Sequence, residues 1–264
     1  MVPNHSKPPS RQGRVRQPTD FCERIYRQRV GVVGLDNFHV ISQETDLMIQ
    51  ADKRFEREAH EQVQACRAHI EGYIKRYPAF ASTLQPWFNA DFAPPVVRQM
   101  VQAGQAAGVG PMAAVAGAIA ETVARHLLSR CKQVVVENGG DIFLKTEDAV
   151  VVGLFAGDSP LSMKFGIKLP PAADGVGICT SSGTVGHSLS AGSADAVCVI
   201  SPSCALADAS ATAIGNRIQS STDIKNAIHF GKSIPGISGI VVVRKREIGA
   251  WGSVELVPGK RKKG

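Results

Sequence analysis

The sequence has 264 residues, of which 44% are hydrophobic and 20% are charged, a composition typical of a soluble globular protein with a full core. Its apolar runs are all shorter than the roughly 20 residues that a membrane-spanning helix needs, which argues against a membrane protein. The formal net charge is +7, but the first 20 residues contribute +3 and residues 260–263 contribute +4. Because the body between these tails is neutral, the sequence argues against a folded basic groove for nucleic acid.

The two ends of the chain and the cysteines bear on its cellular context. Residues 1–20 are polar, basic and rich in proline, so we expect a disordered tail, and residues 259–264 form a second basic tail. The first segment lacks the apolar stretch of a signal peptide. The six cysteines show neither C-x-x-C spacing nor the density of a disulfide scaffold, which predicts reduced thiols in a cytoplasmic protein. We expect one folded domain over residues 21–258, with two pseudo-repeats as an open possibility.

The first half of this domain begins with strands and continues with helices. Alternating apolar residues predict early strands over 29–34 and 37–51. From 52 to 77 the apolar residues recur at steps of three and four, which predicts a helix, and a second helix is expected over 95–106. Residues 111–130 are predicted to form a long helix whose first half consists mainly of alanine and glycine.

The second half is mainly β-structure. A helix of small residues is expected around 205–220, followed by a helical piece to about residue 229 and a closing hairpin over 239–256. Because strands and helices are segregated rather than alternating, we predict an α+β fold with antiparallel sheets. The other short strands are expected at 133–137, 141–145, 150–157, 164–169, 176–182 and 195–201.

The helix of small residues contains the stretch ADASATAIGN, in which Asp208 and Thr212 lie four residues apart. Positions i and i+4 share one face of a helix, so a carboxylate and a hydroxyl would lie side by side. Both are hard oxygen donors suited to Mg²⁺, which takes few protein ligands and completes its shell with water and phosphate oxygens. A purely structural alternative stays open, since an aspartate can interact with a helix dipole and a threonine can bond to the preceding turn.

Two further stretches could carry chemistry. Asn138-Gly139-Gly140 followed by Asp141 would allow a ligand to approach the backbone closely, although it also matches a simple hairpin turn. The loop over 179–195 combines hydroxyl groups and glycines that could hold phosphates with His187, which titrates near neutral pH. His187 could act as an acid or base or could serve only as a structural hydrogen-bonding group. Its first residue, a cysteine at the end of a strand, is expected to be a packed thiol.

Together, GVGPMAAVAGAIAE, VENGGDIFL, FAGDSP, CTSSGTVGHSLSAGSADAV and ADASATAIGN resemble a small prokaryotic family of the ApbE-like superfamily over residues 35–257. ApbE proteins are FAD:protein FMN transferases that use Mg²⁺ to cleave FAD and attach FMN to a threonine or serine of a partner protein. The resemblance implies a T-fold-like α+β architecture with a duplicated unit. It also implies a small-molecule nucleotide, FAD or a related compound, and an acceptor protein of unknown identity.

The resemblance assigns roles to individual residues. Its metal motif D-x-x-x-T matches Asp208 and Thr212, and its G-A-I-A helix start places the metal-bound backbone carbonyl at Ala118. Its nucleotide pocket and the catalytic histidine match further positions. The cofactor-binding residues implied in this way are Gly139, Gly140, Asp141, Thr180, Ser181, Ser182 and Gly183, and the catalytic residue is His187.

The sequence also departs from the ApbE pattern. Glu121 stands where those proteins have a lysine, and their H-x-x-x-P-x-x-G segment is absent. We also expect neither an export signal nor a lipid-anchor cysteine. The leading hypothesis is a Mg²⁺-dependent protein that binds FAD and cleaves it or transfers FMN. A non-catalytic binder of a flavin or another planar ligand is the alternative. A third possibility is RNA binding through the basic tails, which would weaken as the salt concentration rises.

Overall fold

The structure is a computed structural model that describes residues 32–182 and 192–259. Within these ranges the chain forms α-helices and two antiparallel sheets. The helices are α1 Glu56–Arg76, α2 Pro95–Ala107, α3 Val115–Leu127, α4 Cys204–Gly215 and α5 Ile224–Lys232. The strands are β1 Asp36–Ser42, β2 Thr45–Ala51, β3 Val134–Asn138, β4 Asp141–Lys145, β5 Val150–Gly153, β6 Phe165–Leu169, β7 Val176–Ser181, β8 Ala196–Ser201, β9 Gly239–Arg244, β10 Glu247–Gly252 and β11 Glu255–Pro258.

The strands form a large sheet of eight strands and a small sheet of three. The large sheet has the order β1-β2-β3-β4-β7-β8-β9-β10, and the small sheet has the order β11-β6-β5. Every pair of neighbouring strands is antiparallel. The predicted α+β class with antiparallel sheets is therefore confirmed, whereas the duplicated unit and the domain boundaries stay predictions.

The large sheet separates two hydrophobic cores. Helices α1, α3, α4 and α5 cover one face, where α3 contacts β3 and β4 and α4 contacts β7 and β8, and α2 packs against α4. The small sheet packs against the opposite face. Because side chains alternate along a strand, Cys179 of β7 faces the helices while its neighbour Ile178 faces the small sheet.

The sequence predictions for individual elements mostly agree with the structure. The Asn-Gly-Gly stretch forms the β3–β4 turn, where Gly139 has a φ of 71° that favours glycine. The predicted helix over 111–130 is instead a 3-10 helix, Pro111–Ala114, followed by α3. Of the strand predicted at 29–34, residues 29–31 lie outside the described residues and 32–34 precede β1 without being a strand.

The closing hairpin over 239–256 is only partly as predicted. Strands β9 and β10 do pair, but the chain turns at Gly252, whose φ is 85°, and β11 leaves to pair with β6 in the small sheet. Val254 and Leu256 pack against the core between the two sheets, so burial of these side chains accounts for the departure.

No single helix in the described part of the chain is long and apolar enough to cross a membrane. The helix α2 and the segment Pro111–Leu127 reach that length and hydropathy together, but they are bent by 106° at the break between them.

Candidate functional site

Helix α4 lies unusually close to its neighbours because glycines face it. A Cβ added at Gly117 of α3 would lie 2.4 Å from the carbonyl oxygen of Cys204, and one added at Gly177 of β7 would lie 2.4 Å from the Cα of Cys204. Any larger residue at either position would push α4 away. The small residues predicted to admit a neighbour or a ligand therefore admit neighbouring backbone here.

Asp208 of α4 is held against the first turn of α3. Its Oδ2 accepts a hydrogen bond of 2.9 Å from the backbone N–H of Gly117, and the N–H of Ala116 also bonds to this carboxylate. The N-cap residue of α3, Ala114, has no side chain that could cap the helix. Asp208 therefore supplies both the missing cap and a negative charge at the positive end of the helix dipole.

Glu121 of α3 makes the reciprocal interaction with the first turn of α4. Its side chain is buried, with 4% of the residue exposed, and Oε2 accepts a hydrogen bond of 2.8 Å from the N–H of Cys204. The Ser203 hydroxyl donates to the same oxygen at 3.4 Å, and Arg125 Nε donates to Oε1 at 2.8 Å. The negative charge that replaces a lysine of the ApbE pattern thus joins two helices.

A second carboxylate, Asp141, lies near Asp208 on the helix side of the large sheet. Asp141 pairs across β4 and β7 with Cys179. Burial raises the pKa of Asp141 to about 7, although the interaction with the Cys179 side chain partly opposes the shift. Burial and then the charge of Asp141 raise the pKa of Asp208 well above its usual value, against the effect of the Gly117 and Ala116 N–H groups. A divalent cation would offset the cost of placing two negative charges close together at these half-buried positions.

The other predicted metal ligands lie on the same two helices. Ala118 follows Gly117 in α3, and its carbonyl oxygen accepts a hydrogen bond of 2.7 Å from the Thr122 hydroxyl. Thr212 follows Asp208 by one turn of α4 and is 9% exposed. Within residues 32–182 and 192–259, no group of three or more His, Cys, Asp or Glu side chains is arranged to hold a metal ion. A cation here would have few protein ligands, as is usual for Mg²⁺.

The predicted nucleotide-binding stretches are neighbours in the large sheet. The N–H of Thr180 donates to the carbonyl of Gly140 at 3.0 Å, and a Cβ at Gly140 would lie 2.6 Å from the carbonyl oxygen of Thr180. The Thr180 hydroxyl, however, bonds to the Cys198 thiol in the core between the two sheets. Ser181 faces the opposite way by strand alternation, toward the side of Asp141.

The remaining predicted residues lie in the β3–β4 turn or after β7. Ser182 follows β7 directly and is half-buried, and Gly139 occupies the β3–β4 turn. Gly183 and the predicted catalytic residue His187 lie outside the described residues.

Two interactions near this site were missed by the sequence reasoning. Residues Cys179 and Cys204 are 25 positions apart, yet their Sγ atoms lie 3.4 Å from each other. The side-chain amide of Asn138 donates to the carbonyl of Ala116 at 3.1 Å and links the β3–β4 turn to α3. The Glu121–Arg125 ion pair of α3, by contrast, has the i,i+4 spacing that a sequence can reveal.

Two surface cavities lie away from these residues. One of about 410 Å³ lies beside α1 and is lined by Tyr73, Tyr77 and Phe92 among others. The other, of about 360 Å³, lies between α5 and β10. Neither is lined by a residue of the predicted metal or nucleotide site, so the half-buried carboxylates define the candidate site.

Comparison with known proteins supplies the family. The family model described as "AbpE bacteria" matches residues 28–232. A UPF0280 protein of Methanococcus aeolicus is 46% identical over 193 residues, covering 71% of this chain and 78% of its own. A UPF0280 protein of Methanocella arvoryzae is 42% identical over 215 residues, covering 81% and 87% of the two chains.

Solved structures show the relationship of the fold. The flavinyl transferase ApbE of Pseudomonas stutzeri, in its apo form, superposes with a TM-score of 0.53 at 12% identity over 84% of this chain and 94% of that chain. The ApbE protein of Thermotoga maritima gives a TM-score of 0.51 at 12% identity over 81% and 96%. At such identity the likeness shows a shared fold, which confirms the ApbE-like architecture. The chain therefore belongs to the family described as AbpE bacteria, an ApbE-like family that includes the UPF0280 relatives.

Proposed function

We propose that this protein binds FAD or a related pyrophosphate nucleotide together with Mg²⁺, and that it cleaves the pyrophosphate or transfers FMN to an acceptor protein. The observation that carries the proposal is the pair of half-buried carboxylates, Asp141 and Asp208, between the glycine turn and the first turn of α3. The ApbE-like fold supports it, since solved structures of that fold are named flavin transferases.

The metal would be held by oxygen atoms of α3 and α4. Asp208 would supply a carboxylate oxygen, Thr212 its hydroxyl and Ala118 its backbone carbonyl, all of them hard donors that suit Mg²⁺. The Ala118 carbonyl now accepts the Thr122 hydroxyl, so metal binding would require that hydroxyl to turn away or to share the oxygen. When bound, the ion would neutralise charge that develops at the pyrophosphate.

The nucleotide would lie against the β3–β4 turn and the end of β7. Gly139 and Gly140 would allow a close approach to the backbone, and Ser181 and Ser182 would donate hydrogen bonds to phosphate oxygens. Thr180 would contribute through its backbone, because its hydroxyl bonds to Cys198 on the other face. Binding by Gly183 and proton transfer by His187 stay predictions from the resemblance.

The test compares wild-type protein with Asp208→Asn and with the control Asp158→Asn, which changes an exposed carboxylate. FAD binding is measured by fluorescence with Mg²⁺ and with a chelator, and AMP release is measured by chromatography. We expect the wild type and the control to bind FAD in a Mg²⁺-dependent manner and to release AMP. Asp208→Asn should bind at least about tenfold more weakly, a loss of about 1.4 kcal/mol. Absence of both FAD binding and AMP release in folded wild-type protein would refute the proposal.

A second candidate function is a non-catalytic flavin binder. The observation that favours it is that Asp208 has a structural role, because it accepts hydrogen bonds from the N–H groups of Gly117 and Ala116. This candidate predicts a flavin spectrum and a flavin mass in the purified protein, with no AMP release. It also predicts that retention of the flavin is insensitive to Asp208→Ala, provided that thermal melting shows the variant to be folded.

A further inference from the structure

Two buried cysteines face each other between the large sheet and α4. Cys179 lies on β7 and Cys204 is the first residue of α4, and neither has exposed surface. Their Sγ atoms are 3.4 Å apart, and the Cys179 thiol also donates to the carbonyl oxygen of Cys204 at 3.3 Å. The two thiols are therefore mutual neighbours rather than separate packed side chains.

The backbone keeps this pair together. Gly177 lies two residues before Cys179 on the same face of β7, and its missing Cβ allows the Cα of Cys204 to approach. Glu121 holds the N–H of Cys204 from the opposite side, at 2.8 Å. Cys198, on the neighbouring strand β8, is equally buried but lies in the core on the other face of the sheet. Cys179 and Cys204 are thus placed together while a third buried thiol nearby is kept apart.

We propose that Cys179 and Cys204 form a two-electron redox site, a dithiol that hydrogen peroxide or a similarly small peroxide oxidises to a disulfide. One sulfur attacks the peroxide, which breaks the O–O bond, gives a sulfenic acid and releases water. The second sulfur then displaces the sulfenic oxygen, which leaves as water while the S–S bond forms. In total the two thiols lose two protons and two electrons, equivalent to two hydrogen atoms, and one peroxide is reduced to two waters.

The geometry requires only a local movement. A disulfide bond is about 2.05 Å long, so the sulfur atoms must approach each other by about 1.4 Å. Rotation of the side chains would break the bond from the Cys179 thiol to the Cys204 carbonyl. Burial raises the pKa of both thiols, that of Cys204 to about 11, so the thiolate is scarce and slow oxidation is expected.

The disulfide would act on the same helix that carries Asp208. Cys204 lies one turn before Asp208 in α4, and the first turn of this helix would be drawn toward β7. We expect FAD and Mg²⁺ binding to differ between the oxidised and reduced protein. This last expectation depends on the proposed function, whereas formation of the disulfide does not.

The test treats folded, full-length protein with hydrogen peroxide, blocks the remaining thiols by alkylation and maps peptides by mass spectrometry without reduction. A cross-linked peptide that contains Cys179 and Cys204 is expected, lighter by two hydrogen atoms and lost after treatment with dithiothreitol. The variant Cys198→Ala should give the same peptide, and Cys204→Ala should not. If Cys204→Ala does not fold, the peptide map of the wild type alone shows whether the Cys179–Cys204 disulfide forms.

Three outcomes would overturn the proposal. The first is that both thiols stay reduced in folded protein under conditions that oxidise an unfolded sample. The second is that Cys179 forms its disulfide with a different cysteine. The third is that only sulfinic or sulfonic acids appear. Measurement of FAD binding in the same samples separates the two proposals, because the cross-link can form in a protein that does not bind FAD.

Discussion

Replacing Glu121 tests whether the two helices of the candidate site stabilise each other through their first turns. Glu121→Gln keeps the shape of the side chain but removes its charge, and the amide oxygen can still accept from Cys204. Hydrogen bonds to a charged group contribute about 1.5–3 kcal/mol, against about 0.5–1.5 kcal/mol for neutral ones. Arg125 is half exposed, so its ion pair adds less than about 1 kcal/mol.

These terms predict that Glu121→Gln lowers the free energy of unfolding by about 1–2 kcal/mol. Glu121→Ala should lower it by about 3 kcal/mol, because the buried N–H of Cys204 then loses its acceptor altogether. Urea denaturation followed by circular dichroism measures both values. The control Glu71→Gln removes an exposed carboxylate that pairs with Arg67 in α1, and it should change the stability by less than about 0.5 kcal/mol.

Hydrogen exchange of the Cys204 amide provides a second test of whether Glu121 holds the start of α4. The amide of Cys204 should exchange faster in Glu121→Ala than in the wild type, because its acceptor is removed. If Glu121→Gln is as stable as the wild type and the Cys204 amide stays protected in Glu121→Ala, the carboxylate does not hold α4 and the reasoning is wrong.

Three further predictions concern neighbouring residues. Gly117→Ala should destabilise the protein by about 1–3 kcal/mol in urea denaturation, because the added Cβ would clash with the carbonyl oxygen of Cys204. The control Gly72→Ala, at an exposed position of α1 with free space around it, should stabilise the protein by about 0.5–1 kcal/mol. Ser203→Ala should cost about 0.5–2 kcal/mol in the same assay, since Ser203 accepts from the N–H of Leu206 at the start of α4. The pKa of Asp141 is raised from 3.8 to about 7, so between these pH values the folded state retains a proton that the unfolded state loses. The contribution of Asp141 to the free energy of unfolding should therefore fall as the pH rises from about 4 to about 7. Asp141→Asn should remove that part of the pH dependence, and an unchanged pH profile would contradict the assignment.

Much of the fold was predictable because it follows from local patterns. The apolar residues of α1 recur at helical spacing, Pro78 follows that helix, and the predicted helix over 52–77 matches Glu56–Arg76. The Asn-Gly-Gly turn and the flanking strands also have the predicted places. The departure of β11 into the small sheet was not predictable, since it depends on the burial of Val254 and Leu256 between sheets that come together only in the folded protein.

The sequence indicated which elements carry the candidate residues but not which groups those residues contact. The spacing of Asp208 and Thr212 indicated one helix face, and both do lie on α4. The sequence showed Glu121 only as a departure from the ApbE lysine, whereas its two oxygens contact the first turn of α4 and Arg125. The hydroxyl of Thr180 likewise has a partner on the far face of the sheet. Such contacts depend on which strands and helices become neighbours.

The sequence by itself determined the types of the main elements, the antiparallel α+β class and the presence of helices whose small side chains allow close packing. These properties depend on the hydrophobic period, on turn residues and on side-chain size, all of which are local. Only the tertiary structure decided that Asp208 lies at the start of α3 and Glu121 at the start of α4, across separations of 91 and 83 residues. The physical reason is that unpaired backbone N–H groups of a buried helix end need an acceptor, and folding determines which side chain supplies it.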